Sequence, residues 1–373
     1  MMSLKSNKII ICFIVSLLFG TATTNAQLLK DSTALNLIKK NIDCIYNQQF
    51  DEAQVMYSKI QKSRPGHPVL YLLRGLQTYW KNYPMLAETP ASRSFEKDLR
   101  QCIQLSKKNN NPKYEAEYLM YNLCARGMLL KYYQENGLSM DVIPLASSTY
   151  DYLSKSFKFT NESADLYYFT GTYNYYREAY PNTYPIYKSL VFLFPHGNMK
   201  TGLKEMQNAA TNAVVLRAES YFLLTSIYLS FENNYALAIK YSKSLHDIYP
   251  NNDLYMATYI KNLLLVKQYN DAEKHINASL KVVDNKHFQA QLLIFKGIIQ
   301  EKKYHDNNLA KQYYSLGVSR ISGFGEYGSE YLSYAYFGLS RISDVKSEAS
   351  TGKQYREKAL KLAVFKNVNF DRS

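Results

Sequence analysis

The sequence predicts an all-α chain, an α-solenoid of about eight helix pairs with one irregular insertion near 181–202. The first observation is a repeat. Ala53 is followed by Pro65 at the same spacing as Ala238 by Pro250, and Ala272 follows Ala238 by 34 residues. The second is that strand signals are missing, with no sustained period-two alternation and no hairpin-type Asn-Gly or Asp-Gly turn between β-branched runs. The third is the placing of proline where a second helix should stop, since it lacks the N–H and clashes with the preceding turn. A single helix pair cannot bury its own apolar stripe, so such pairs stack into a curved superhelix with a continuous core.

In Ala34–Arg64 the second helix carries Phe50, Asp51, Glu52, Ala53, Tyr57 and Ile60 before Pro65. His67–Asn82 reads as the next first helix, with Gly75 at a close-approach position and Ser94–Lys107 as its partner. The insert between them, NYPMLAETPASR, is longer than a normal turn. Tyr114–Gln134 and Val142–Phe157 pair around Gly127, and Ser163–Tyr180 forms a helix around Gly171. Pro181, Pro185, Pro195, Gly197 and Gly202 then punctuate the chain, which excludes one continuous helix through 181–202. This insertion in the fourth pair is the expected boundary between helical repeats over 27–180 and over 203–373. Beyond it, Leu203–Ala213 is followed by three better-formed pairs. They carry Tyr235, Ala238 and Leu245; then Tyr269, Ala272, Glu273 and Ile276; then Gly297, Ala310, Tyr314 and Gly317. A last pair, Tyr331–Leu360, has Gly338 and Ala359.

These spaced small, alanine and aromatic positions resemble the tetratricopeptide family, most closely over Ser32–Pro65 and Glu219–Val318. The block YREAYP, TYPIYKSL and FLFPHGN resembles a group of exported bacterial tetratricopeptide proteins without an established role. Over about 163–250 it also resembles the eukaryotic tetratricopeptide repeat protein thirty-nine family, which has a glycine-rich turn ahead of a Gly-Leu helix start. These resemblances imply an architecture, not an activity. In the tetratricopeptide family, positions 2, 5, 9, 12 and 13 of each first helix line a concave groove. With Gly171 at position 8, Asp165, Tyr168, Thr172, Tyr175 and Tyr176 are implied there. Gly75 likewise implies Tyr79 and Trp80, and Gly127 implies Lys131 and Tyr132. The chain holds 36 tyrosines. Those at repeat seams, such as Tyr57, Tyr269 and Tyr314, are expected to fill gaps between helices.

At the N-terminus, Lys5 and Lys8 precede an 11-residue apolar run, Ile9–Phe19, and small residues at Thr24 and Ala26. This is the layout of a secretory signal, residues 1–26, cleaved after Ala26. No cysteine follows to mark a lipoprotein. No later run approaches the roughly 18 apolar residues of a membrane span, so the expected location is periplasmic or outer-membrane associated. The formal charge of +14 is spread along the chain; it suits solubility or an acidic partner, and export disfavours nucleic acid. Cys44, Cys102 and Cys124 sit in apolar helical contexts and read as structural thiols, with one bridge left open.

No catalytic, cofactor or metal site is expected. The six histidines are scattered, with no HExxH or paired Cys/His spacing, and GxSxG and phosphate-loop fingerprints are absent. The Gly-containing turn at Phe192–Asn198 offers a weak anion-binding reading. The functional expectation is an exported, non-enzymatic scaffold or adaptor that holds a peptide or protein partner of the cell envelope. The alternative is a glycan- or ligand-binding accessory protein for uptake, using the tyrosine-rich groove.

Overall fold

The computed structural model describes residues 31–108, 111–185, 188–345, 349–364, 368, 370 and 371. The expected signal segment 1–26 therefore lies outside the described residues. Those residues form sixteen longer helices and no strand. Arranged as consecutive pairs, they are α1 (Ser32–Tyr46) with α2 (Phe50–Ser63), α3 (Pro68–Lys81) with α4 (Pro90–Lys107), and α5 (Glu115–Glu135) with α6 (Ser139–Ser156). Then come α7 (Leu166–Thr183) with α8 (Met199–Asn212), α9 (Arg217–Ser230) with α10 (Tyr235–Ile248), and α11 (Asp253–Leu265) with α12 (Tyr269–Ser279). The last pairs are α13 (Lys286–Lys302) with α14 (Asn307–Ile321) and α15 (Glu326–Val345) with α16 (Ala349–Leu362). Each helix packs on its mate, and each pair packs on the next. This is the helical-repeat architecture of tetratricopeptide type. No described helix is long and apolar enough to cross a membrane.

Local chemistry fixes the helix starts. Asp31, Asn198, Asn234, Asn252, Asn285 and Asp306 each accept backbone N–H groups of the first turn that follows. These groups would otherwise lack partners. Thr89 and Ser92 form a reciprocal capping box ahead of Pro90, so α4 begins four residues before the expected Ser94. Several first helices end alike. Gln48, Gly137, Asn233, Lys267 and His305 all take positive φ in the turn to the second helix. The next amides then bond back across the turn, as in Gln49 N to Cys44 O and Gln268 N to Leu263 O.

The glycines of the repeat pattern mark the closest helix contacts. The Tyr314 ring is wedged between Gly297 and Gly338, where an added Cβ would meet its carbons, at 2.6 Å in the case of Gly297. Tyr314 OH donates to Glu301 Oε2 at 2.7 Å, and Glu301 in turn binds Arg341 through two parallel bonds of 2.6 and 2.9 Å. Gly202 differs from expectation. It lies inside α8, not in a turn, because Asn198 starts the helix early and Gly171 of α7 needs a neighbour with no side chain. Likewise Pro181 sits within the last turn of α7, so the irregular stretch between α7 and α8 narrows to 184–198, with a single helical turn at Lys188–Val191.

The superhelix closes on itself. Tyr46 of α1 packs on Tyr249 and Tyr255 at 5.6 and 6.3 Å between ring centroids, and its carbonyl accepts from Asn252 Nδ2 at 2.7 Å. Asp43 accepts from Arg217 and Tyr249 at 2.7 and 2.9 Å. The turn after α3 brings Tyr83 onto the Tyr327 and His287 rings, and the Met85 carbonyl accepts from Tyr327 OH. Side chains of the first two pairs thus meet the fifth to eighth pairs.

His287 lies in this closure and is 2% exposed. Its Nε2 donates to the Tyr327 carbonyl at 3.1 Å, with the Tyr83, Phe324, Tyr327 and Tyr331 rings around it. Burial lowers its pKa from 6.5 to about 4, against the opposing pull of that carbonyl. The unfolded chain therefore takes up a proton below pH 6.5 that the folded one refuses until about pH 4. Stability is complete above that window and falls through it, by about 3 kcal/mol in all. His287→Phe is expected to flatten the fall in urea midpoint between those pH values; an unchanged slope would remove His287 as its source.

Candidate functional site

The eight expected groove residues separate into a buried set and an accessible set. Trp80 is 3% exposed and meets Tyr46, Tyr79, Tyr83 and Tyr255 at 5.4–5.6 Å. Tyr132 packs on Phe95 at 5.3 Å, and Tyr175 is fully buried with its hydroxyl donating to Glu232 Oε1. Tyr79 is buried too, its hydroxyl on Glu135 Oε2 at 2.8 Å, although one side borders a small hollow. Tyr79 and Trp80 are thus covered by the distant half of the superhelix, while Tyr132 and Tyr175 are buried in seams with adjacent helix pairs. Asp165, implied at the same surface, is spent as an acceptor for Val214, Val215 and Leu216 N–H at 3.1, 2.7 and 2.7 Å.

Lys131, Tyr168, Thr172 and Tyr176 remain at accessible hollows. The larger, about 410 Å³, is a groove between α6 and α7. Leu123, Tyr150, Leu153, Tyr168, Phe169, Tyr173, Tyr176 and Tyr180 give it an aromatic wall, and Phe194 of the insertion borders it. It exists because α6 packs only loosely on α7: among the described α6 residues only Ser156 is fully buried. A further hollow of about 230 Å³ continues past Tyr150 and Tyr173 to Phe157 and His196.

The described end of the insertion, 194–197, folds against α7. Tyr173 OH donates to the Pro195 carbonyl at 2.7 Å, and Arg177 donates to the Phe194 carbonyl at 3.1 and 3.3 Å. Gly197 N–H donates to Glu178 Oε1 at 2.9 Å, and Thr201 N–H is taken by Asn198. Two donors that an anion could have used are thus occupied, by Glu178 of α7 and by Asn198. The Phe194 ring stands edge-on to Tyr150 at 4.9 Å, while Phe192 and Leu193 are 73% and 67% exposed. Tyr150 and Phe194 were not legible as site residues. Their one sequence signal is an apolar Phe-Leu-Phe run inside a segment punctuated by proline and glycine.

The second hollow, about 100 Å³ and more enclosed, lies inside the superhelix. It is bounded by Tyr79, Cys124, Met128, Lys131, Tyr168, Phe169, Leu216 and Glu219. Lys131 Nζ is 3.5 Å from Glu219 Oε2 and lies over the Tyr79 and Phe222 rings at 5.5 and 5.7 Å. Burial would lower the Lys131 pKa, but Glu219 and Glu135 outweigh it and raise it, so the ammonium stays charged. Glu135 is itself pushed up by burial, against Lys131 and the phenols of Tyr79 and Tyr327.

Cys102 and Cys124 are buried free thiols and Cys44 is half-buried. Among the described residues no group of three His, Cys, Asp or Glu side chains is placed to hold a metal ion. No protein-family model matches the chain. No curated protein matches it in sequence. Among solved structures it is similar to a monomeric mutant of IFIT1 with Gppp-AAAA, with a TM-score of 0.43 and 13% sequence identity, over 84% of this chain and 68% of that one.

Proposed function

We propose that this chain is an exported scaffold of the tetratricopeptide type that holds an apolar, aromatic-bearing peptide segment of a cell-envelope protein in the α6–α7 groove. The observation that carries the reading is the seat of Phe194. A short Phe-Leu-Phe segment of the chain itself already places one ring at this groove and leaves its neighbours in solvent. The lining favours a peptide over a sugar. Among the described residues no carboxylate borders the groove, the hydroxyls of Thr149 and Thr172 donate to the Leu145 and Tyr168 carbonyls, and Arg177 is engaged by Phe194 and Glu178. Rigid aromatic walls bind such side chains at low entropic cost. The basic balance of the chain suits acidic residues flanking that segment.

The test is a random-peptide display selection on the mature chain, followed by fluorescence polarisation with the selected peptides. Phe-, Leu- and Tyr-bearing peptides are expected, and Tyr168→Ala with Tyr176→Ala should weaken them about tenfold or more, roughly 1.4 kcal/mol. Equal affinity for the double variant would place the site elsewhere. For the export half of the reading, the protein recovered from the envelope should begin at Gln27.

One observation favours a glycan as a second reading. A cleft of about 530 Å³ combines Phe50, Tyr83, Met256 and Phe288 with Gln48, Asn251, Asp253 and Asp284. Burial raises the Asp253 carboxyl to about 6. Rings beside free polar groups suit a sugar ring, and glycan-array binding abolished by Asp253→Ala but kept by the groove variant would select this cleft.

A further inference from the structure

The Lys131–Glu219 hollow is built from opposite charges that are poorly satisfied by each other. Lys131 comes from α5 and Glu219 from α9, so the third and fifth pairs face one another across the superhelix interior. Their closest approach, 3.5 Å, is long for a charge-assisted bond. Glu219 Oε1 has one further donor, Tyr46 OH, also long at 3.3 Å. A carboxylate can accept about four bonds and an ammonium donates three. Nearby Glu135 is engaged elsewhere, by the hydroxyls of Tyr79 and Tyr327. Of the remaining walls, Cys124, Met128, Phe169 and Leu216 are apolar, and Tyr79 and Tyr168 contribute their rings. Lys131 and Glu219 keep 30% and 19% side-chain exposure, so two opposite charges present part of their bonding capacity to one small, partly screened hollow.

We propose that this hollow binds a small zwitterion of the α-amino acid type, with its carboxylate on Lys131, its ammonium on Glu219, and its side chain toward Met128, Phe169 and Leu216. Such a ligand lies beside the pair, within the hollow, and adds two short charge-assisted contacts to the long one. A singly charged molecule satisfies one partner and leaves the other worse placed, which supplies the selectivity. The volume of about 100 Å³ corresponds to about three waters, the scale of glycine or alanine. Tyr168 and Phe169 form the wall between this hollow and the peptide groove, but the site does not depend on the groove being occupied.

The test is calorimetric titration and thermal shift on the mature chain with glycine, L-alanine and L-serine. Acetate, methylamine, glycinamide and N-acetylglycine serve as singly charged controls. Saturable binding is expected for the zwitterions, and binding about tenfold or more weaker for each control. Lys131→Met and Glu219→Gln should both abolish it, while Lys243→Met, at an exposed surface pair, should not. If either cavity variant fails to fold, the wild-type comparison of zwitterions with controls decides alone. No saturable signal from the zwitterions at millimolar concentration, or controls that bind equally well, overturns the proposal. The peptide measurements are unaffected in either case.

Discussion

Replacing Gly202 with valine should cost the folded chain about 3 kcal/mol or more, at the upper end for overpacking. A Cβ at Gly202 would lie 2.6 Å from the Tyr175 amide nitrogen and 2.7 Å from the Gly171 carbonyl oxygen. Both are main-chain atoms of α7, so no rotamer change relieves the clash and the two helices must separate. Separation opens the seam around Met206, which is fully buried beside them. The same substitution at Gly323, where an added Cβ meets nothing, should stay within about 0.5 kcal/mol. Urea midpoints for the two variants decide it; equal, small losses would mean that α7 and α8 do not approach as closely as described.

Asp165→Ala is expected to be as severe, at about 3–6 kcal/mol, by a different cause. The carboxylate receives the Val214, Val215 and Leu216 N–H groups where the chain enters α9, and it is 1% exposed. Removing it strands buried donors, each costing about 1–3 kcal/mol. Asp165→Asn keeps one acceptor oxygen and should lie between wild type and alanine. The loss should appear as earlier unfolding of α7 to α9, read by hydrogen exchange at 214–216. If alanine leaves those amides protected, something other than Asp165 holds the turn.

Both effects bear on how far the sequence could be read. The repeat rule concerns helix separation, which is local, so Gly171, Gly297 and Gly338 are recognisable as close contacts from the sequence. Tyr314 was likewise recognisable as a seam ring, and it is fully buried between two of those glycines. Gly202 was read as a breaker because glycine is a poor helix former. Its partner across the seam, Gly171, lies 31 positions away, and the pattern within one segment does not connect them. Asp165 is similar: its position on α7 suggests a groove residue, while the three amides it holds belong to another helix pair.

Closure of the superhelix was the larger omission. Curvature accumulates from a small rotation at each pair, and no single residue encodes the sum. Tyr79 and Trp80 are therefore buried at the closure, while Tyr132 and Tyr175 are buried in seams between neighbouring pairs. Tyr255 stands over Trp80, and Tyr327 shares Glu135 with Tyr79; both come from pairs far away in sequence. Among the described residues, the loosely packed α6–α7 seam, the Lys131–Glu219 hollow and the cleft beside Trp80 and Tyr83 stay open. The first of these holds part of the tyrosine-rich cluster that exceeds the needs of helix packing.

Trp80 is the single tryptophan of the chain, and it sits where the first helix pairs meet the later ones, on Tyr46 from one side and Tyr255 from the other. Its fluorescence reads the closure directly. A closed superhelix gives blue-shifted emission and weak acrylamide quenching, and Tyr255→Ala should increase both wavelength and quenching. Red-shifted emission with strong quenching in the folded wild type would mean that the concave face is open, and would return Trp80 and Tyr79 to the ligand surface.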